Sequence, residues 1–324
     1  MNIILTGSEG FVGKYLRIKL EELNYNVFSI DRIKINRVNY FCFDLTNEIS
    51  SLVSLFKDES IDILIHLAAA KGDYNLKYKD FYRDNVTASD KLINLVKVLN
   101  VKSIIMYSTV SVYGHDNKIM SEDASLKPNN PYGATKLESE NLFTKWFNLD
   151  PNKNRLTILR PSVIYGENNF ANMYNLLNQL NKKLPVSIGD GDYIKSMVAV
   201  ENIVDITIFS LNNLDGLQIY NCTDKPYPKL KEVINHISEI QGFSKPKIII
   251  PKWFAYVIGL FFECFSFLIR KDLGITRERI YKFTMATDYR SEKLKNIGYV
   301  QRYSVKDRIQ NMAKWYLKIN KDEK

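Results

Sequence analysis

Tyr132 and Lys136 stand four residues apart in Tyr132-Gly133-Ala134-Thr135-Lys136, a stretch that opens a predicted helix running to about Asn148. At that spacing both side chains lie on one helix face. A free phenol titrates near about 10 and is a poor acid–base group near neutrality. An adjacent ammonium favours the phenolate, which makes the pair a candidate proton-transfer device. A tyrosine and a lysine one turn apart are commonplace, so the reading rests on two further stretches.

One is Met106-Tyr107-Ser108-Thr109-Val110-Ser111-Val112-Tyr113-Gly114. It begins as a strand and exits with Ser108 and Thr109 at the carboxyl end, the side on which doubly wound sheets bind ligands. The other is the start of the chain. Asn2 to Leu5 reads as a buried strand and Lys14 to Asn24 as a helix, with Gly7, Gly10 and Gly13 spaced by threes in the turn between them. Gly7 permits the turn, Gly10 lets backbone approach a phosphate, and Gly13 lets helix and strand pack closely. The helix start then offers N–H groups and a positive dipole end to a pyrophosphate.

The elements that must position these residues alternate. Asn26 to Ile30 reads as a second strand closed by Asp31, 18 residues after Gly13, where a carboxylate can accept hydrogen bonds from an adenosine ribose. Val38 to Leu45 and Ile61 to His66 read as strands, Phe81 to Leu99 as a helix, Ser103 to Ser108 and Leu156 to Arg160 as strands. The alternation predicts an α/β fold: a doubly wound parallel sheet (Rossmann) covered on both faces, with a smaller, mostly helical C-terminal substrate domain. Residues 1–166 form the expected dinucleotide-binding domain, with 195–222 returning to it; 167–194 and 223–324 form the substrate domain. Asp31 would repel a 2′-phosphate while Arg32 and Lys34 would welcome one, so the expected cofactor is NAD, with NADP as the alternative. A nicotinamide's positive charge would act on Tyr132 in the same sense as Lys136. His66, at a strand end, is expected to be structural.

The 324 residues carry 45 Lys and Arg against 36 Asp and Glu, a net charge of +9 that suits anionic ligands. The cations are dispersed rather than set in a stripe interleaved with aromatics, which argues against nucleic-acid binding. Cys42, Cys222 and Cys264 lie far apart with no zinc spacing, so no metal site is expected and a reducing compartment is. The opening apolar run is only a strand long and has no basic residues ahead of it; no signal peptide is expected, and the location is read as cytoplasmic.

These pieces resemble an extended short-chain dehydrogenase/reductase, of the NAD-dependent epimerase/dehydratase group that acts on nucleotide sugars. The resemblance rests on TGSEGFVG (Thr6–Gly13), Asp31, Asp44-Leu45, HLAA (His66–Ala69), Asn85, STVSVYG (Ser108–Gly114), YGATK (Tyr132–Lys136) and LRPSVIYG (Leu159–Gly166), in the family's order over the first 166 residues. It implies Tyr132 as the catalytic acid/base, Lys136 lowering its pKa and binding ribose, and Thr109 bonding the reacting oxygen. It implies a cofactor bed from Gly7, Glu9, Gly10, Phe11, Val12, Gly13, Asp31 and Arg32. Asp44 and Leu45 would flank the adenine, and Leu67, Ala68, Ala69, Asn85 and Ser108 would line the cleft. Pro161, Ser162 and Val163 would border the nicotinamide. Substrate contacts are expected from Lys71, Thr109, Val110, Ser111, Asn168, Asn169 and Lys195, the last standing where the family has a diphosphate-clamping arginine.

The departures narrow the chemistry. The 4,6-dehydratases of this family follow the catalytic Ser/Thr with an acidic pair, whereas Val110 and Ser111 can carry no such proton. The cysteine of 3,5-epimerase/reductases and the glutamate of decarboxylating relatives are also missing. What remains needs one acid/base at a single carbinol. The resemblance implies a nucleotide-sugar 4-epimerase for a UDP-hexose or UDP-N-acetylhexosamine, in surface polysaccharide synthesis. Alternatives are a 4-keto-6-deoxy-N-acetylhexosamine 4-reductase, a hydroxysteroid-type dehydrogenase, and a non-enzymatic cofactor-sensing protein. A homodimer is the family expectation.

One stretch falls outside this frame. Trp253 to Ile269, WFAYVIGLFFECFSFLI, holds Glu263 as its single charge and precedes Arg270 and Lys271. It is read first as a buried helix or dimer contact, next as a peripheral membrane helix, and last as a span, for which it is short and its glutamate unwelcome.

Overall fold

The computed structural model describes residues 1–70, 76–114, 118–182, 184–269 and 277–321. Seven strands, β1 (Asn2–Thr6), β2 (Asn26–Asp31), β3 (Tyr40–Cys42), β4 (Ile63–His66), β5 (Ser103–Tyr107), β6 (Arg155–Pro161) and β7 (Leu217–Cys222), form one parallel sheet ordered β7-β6-β5-β4-β1-β2-β3. From β1 the chain winds one way through β2 to β3, and from β4 it winds the other way. The reversal opens a crevice at the carboxyl ends of β1 and β4.

Strand pleating explains the two cores. Ile4, Leu64, Ile104 and Leu156 face α2 (Ala88–Val98) and α3 (Pro131–Phe147) on one side, with Leu92, Phe143 and Trp146. Ile3, Leu5, Ile63, Ile65 and Ile105 face the other side, under α1 (Phe11–Glu22) and α4 (Val200–Asn212), with Leu16, Leu20 and Ile203. Side chains alternate across a strand, so a run apolar at every position is buried on both faces. The expected doubly wound sheet is therefore the observed one.

A third apolar cluster joins the helix Asn172–Leu180 to the helices Leu230–Ser238 and Val305–Lys321, through Leu177, Ile237 and Met312 among others. Next to it lies a pair of packed helices, α5 (Lys252–Ile269) and α6 (Arg277–Thr284).

Three local expectations change. The strand expected over Val38 to Leu45 shrinks to Tyr40–Cys42, because Asn39 turns into the left-handed region (φ 55°) and leaves Val38 fully in solvent. The helix expected over Phe81 to Leu99 starts earlier, with an α-helical turn at Tyr78–Phe81, and passes through a π-turn at Tyr82–Thr87 before α2. The apolar helix α5 is not buried: Trp253 is 70% exposed and Phe261 65%. Residues 270–276, including the cations after α5, lie outside the described residues.

Candidate active site

The glycine turn closes with little room to spare. Gly7 has φ 69°, and a Cβ there would lie 2.6 Å from the Ala68 backbone nitrogen; a Cβ on Gly13 would lie 2.1 Å from the Gly7 carbonyl oxygen. Helix α1 therefore starts directly against the ends of β1 and β4. Gly10 is its N-cap, and no side chain caps the helix there, so its first N–H groups face the crevice mouth.

Asp31 organises the turn. Its carboxylate accepts the backbone N–H of Glu9 (3.0 Å) and that of Ile33 (3.3 Å). The Glu9 side chain is buried and paired with Arg37 at 2.8 Å, a cation that sequence reasoning passed over. Arg32 reaches Asp84 at 3.3 Å. Asp44 accepts both the N–H (2.9 Å) and the hydroxyl (2.8 Å) of Thr46. Burial opposes ionisation of Asp44, but those two bonds together with Arg32 and Arg83 outweigh it and lower its pKa. Leu45 is buried in the core beside it.

At the end of β4 the His66 Nδ1 and the Thr6 hydroxyl are 2.7 Å apart. Burial, with Lys136 adding to it, pushes the imidazole pKa down to about 3, so His66 is neutral and structural as expected. Leu67 donates its N–H to Thr6 O and Ala68 to the Thr6 hydroxyl, holding Ala68 over Gly7. Asn85, in the π-turn, accepts the Ala70 N–H (2.8 Å) and donates to the Thr135 hydroxyl (3.0 Å). Its carbonyl accepts Ser89 and Ser139. Asn85 thus fastens the end of β4 to α3; Ala69 lies in the segment so held. Lys71 lies outside the described residues.

Helix α3 is started by Asn130, whose side chain accepts the Gly133 N–H at 2.8 Å, with Pro131 following. One turn later Lys136 is buried on the sheet side. The loop after β5 comes to meet it. Thr109 caps a short 3₁₀ turn, Val110–Tyr113, by accepting the Ser111 N–H at 3.1 Å, and its hydroxyl lies on the side of the Tyr132 phenol. Burial pushes that phenol up to about 12, and the Thr109 hydroxyl pulls the other way. Burial likewise brings Lys136 down to about 8, partly offset by Glu140. The lowering of Tyr132 expected from Lys136 is thus not produced by these side chains alone, because desolvation of the phenol dominates.

Behind this pair sits a buried network absent from the sequence reading. Glu140, on α3, takes two hydrogen bonds from Arg160 on β6, at 3.0 and 2.6 Å. Arg160 also donates to the Tyr113 hydroxyl (2.9 Å), which donates to Asn221 on β7 (2.8 Å). The available signal was Arg160, a charge in the otherwise apolar run LTILRP; Glu140, among Glu138, Ser139 and Asn141, gave none.

The remaining candidates are more scattered. Pro161 pairs with Cys222, and Ser162 donates both its N–H and its hydroxyl to the Cys222 carbonyl. Val163 begins a short strand paired with Met197–Ala199. Phe11 stacks edge-on to Tyr15 and meets Gly166, while Val12 packs under the sheet. Asn169 serves its own loop, donating to Ile164 O and accepting the Ala171 N–H; Asn168 adopts φ 64°. Lys195 donates to the Met285 carbonyl at 3.1 Å, and burial brings it down to about 8.

The hydroxyls of Ser8 and Ser108 are buried with no hydrogen-bond partner among the described residues, one in the glycine turn and one at the end of β5. Together with an uncapped helix start and a turn in which a Cβ at Gly7 or Gly13 would meet backbone, they fit a diphosphate-bridged dinucleotide laid across the strand ends.

Fold and site together define a dinucleotide-dependent enzyme of the doubly wound class with a tyrosine–lysine pair. Residues 3–223 match the model of the NAD dependent epimerase/dehydratase family, and the chain belongs to that family. Its cofactor is NAD. The chain is similar to the N-acetyl-alpha-D-glucosaminyl-diphospho-ditrans,octacis-undecaprenol 4-epimerase of Escherichia coli O157:H7, 27% identical over 99% of this chain and 97% of that one. It is 28% identical to a UDP-glucose 4-epimerase of Yersinia enterocolitica over 76% of this chain and 84% of that one. Among solved structures, the UDP-glucuronic acid 4-epimerase of Bacillus cereus in complex with NAD superposes with a TM-score of 0.76, covering 98% of this chain and 99% of that one at 22% identity. That likeness bears on the fold.

Proposed function

We propose that the protein is an NAD-dependent 4-epimerase of a diphosphate-linked hexose or N-acetylhexosamine, a nucleotide sugar in the first instance, working through a 4-keto sugar. Bound NAD supplies the oxidation and re-reduction of the C4 carbinol. Tyr132 takes the C4 hydroxyl proton and returns it after the sugar has turned over. Thr109 holds the same oxygen through its hydroxyl. Lys136 holds the ribose and places a positive charge beside the phenol; burial pushes that phenol up, and the charge of a bound nicotinamide would act in the lowering sense with Lys136. Gly7, Gly10 and Gly13 with the start of α1 receive the pyrophosphate, and Asp31 the adenosine ribose. Asn168 and Asn169 lie on the substrate side, in the segments we assign to a substrate domain made of 167–194 and 223–324, and Lys195 follows directly after the first of them. We take the enzyme to act as a cytoplasmic homodimer at the membrane surface.

The observation that carries this reading is the Thr109 hydroxyl beside the buried Tyr132 phenol, in a loop whose next residues are Val110 and Ser111. One proton-transfer group meets the reacting oxygen, and neither of the two residues after Thr109 carries a carboxylate to expel water at a neighbouring carbon, which leaves the keto sugar the return path. The test is incubation of purified protein with UDP-GlcNAc and, separately, UDP-glucose without added cofactor. Formation of the C4 isomer supports the epimerase; inertness together with NADPH oxidation on a 4-keto sugar would make it a reductase.

A second reading concerns what carries the sugar. The Escherichia coli relative that aligns end to end is named for a polyprenyl diphosphate sugar, and this chain presents an apolar helix outward. An N-acetylhexosamine on a polyprenyl diphosphate is the substrate this reading adds.

A further inference from the structure

Helix α5 is amphipathic in the wrong sense for a protein in water. Ala255, Gly259 and Glu263, four apart, form the face turned to the protein: Ala255 is buried, a Cβ on Gly259 would come within 2.8 Å of Ile280, and Glu263 accepts the N–H and the guanidinium of Arg277 at 2.8 Å each. The opposite face carries Trp253, Val257, Phe261 and Phe265, flanked by Phe254 and Leu260, all exposed. A surface helix ordinarily turns such a row inward and its charge outward. The strand before the helix, Ile248–Ile250, adds Ile248 and Ile249, also exposed. Three lysines, Lys245, Lys247 and Lys252, are exposed on this edge against the single exposed Asp190 beside Gly189, and Lys252 sits 4.9 Å above the Tyr193 ring. Among the described residues of α5 the one acid, Glu263, is already neutralised by Arg277.

We propose that this face of α5, with Ile248 and Ile249, docks on an anionic lipid surface and lies in the plane of the interface rather than across the bilayer. No helix among the described residues is long and apolar enough to cross a membrane. An exposed apolar row with a tryptophan near the helix start and lysines beside it is the composition that settles at a headgroup boundary. A second copy of the chain fits less well, because an isologous contact centred on this face would bring two sets of lysines together with no free carboxylate on the helix to offset them. The docking face also leads toward the site: α6 runs into Met285 and Thr287, which bond Lys195 and Ser196. Docking here would hold the substrate side near the bilayer, where a polyprenyl diphosphate presents its sugar; that consequence rests on the second reading above.

The test is sedimentation of the full-length protein with sucrose-loaded vesicles of 3:1 phosphatidylcholine and phosphatidylglycerol, and with phosphatidylcholine alone, for the wild type and Trp253→Glu/Phe261→Glu. Both positions are exposed, so the double variant is expected to fold and to keep wild-type turnover of UDP-GlcNAc. The expected result is wild-type binding to the anionic vesicles, weakened by salt and reduced about tenfold or more in the variant. Wild type that stays in the supernatant with both vesicles overturns the proposal, as does a variant that becomes monomeric where the wild type is dimeric. Vesicle binding without epimerisation of any sugar diphosphate keeps the surface and removes the reading of the active site. Epimerisation without vesicle binding does the reverse.

Discussion

Glu140 and Arg160 face each other in the interior as a two-bond pair, 2.6 and 3.0 Å, one on the helix that carries Tyr132 and Lys136 and the other on β6 beside it. Both side chains are almost wholly buried. A carboxylate so placed is acceptable only while its partner stays. Arg160→Met should therefore destabilise the protein by about 3–5 kcal/mol, because Glu140 is left charged and dry. Arg160→Met/Glu140→Leu should recover much of that loss. Urea unfolding of the two variants measures the difference, and equal losses in both would show that the pairing is not what matters.

Tyr132→Phe removes the proton-transferring oxygen and keeps the ring, which packs 6.2 Å from Phe81. Turnover should fall by about 10²–10⁴-fold, the usual worth of a positioned acid/base, while NAD binding measured by calorimetry changes little. Near-normal turnover would remove Tyr132 from its proposed role.

Gly13→Ala sets a methyl group 2.1 Å from the Gly7 carbonyl, a backbone atom that cannot swing aside. Helix α1 must back away from β1, which displaces the N–H groups at its start. We expect NAD affinity to drop by about tenfold or more even where the fold survives, since a close backbone approach to the pyrophosphate is what the turn provides. Wild-type affinity in a folded Gly13→Ala protein would mean the pyrophosphate lies elsewhere.

His66 gives a pH dependence with a definite sign. Its folded pKa, about 3, lies below its unfolded value of about 6.5, so the unfolded chain takes up the proton first and stability is lost as pH falls from about 6.5 toward 3. The loss should reach about 2 kcal/mol by pH 5. Asp224 works the other way in the same window, its carboxyl raised to about 7 by burial, so protonation on acidification relieves a penalty. The comparison to make is therefore the pH slope of unfolding in the wild type against His66→Gln, which should lack the histidine part. Parallel slopes would contradict a buried neutral imidazole.

Where local chemistry dictates local geometry, the sequence was enough. A buried strand, three glycines and Asp31 can hardly fold otherwise, and Tyr132 with Lys136 must share a helix face; the strand read at Leu156 to Arg160 likewise falls within the observed Arg155–Pro161. Residues that depend on distant partners were not. Glu140 and Arg160 are 20 positions apart and become intelligible only when helix and strand are packed, and Arg37 matters only because Glu9 folds beneath it. The reading of α5 as a buried helix failed for a related reason: composition reports how apolar a helix is, while which side faces water is decided by Gly259 fitting against Arg277 and Ile280.

Asn221 receives the Tyr113 hydroxyl and donates to the carbonyls of Met120 and Arg290, while its own N–H goes to Glu122. Close by, Asp288–Tyr289 runs parallel to Ile119–Met120. Three stretches of chain, the second 101 residues beyond Met120 and the third 69 beyond Asn221, are thereby stapled at one point, next to the loop that bears Thr109. A chain ending at residue 223 would keep every strand of the large sheet and still lack the strand that backs this loop. Synthesis order thus matters here: the nucleotide-binding half can form early, but the pocket has no far wall until the 280s have emerged.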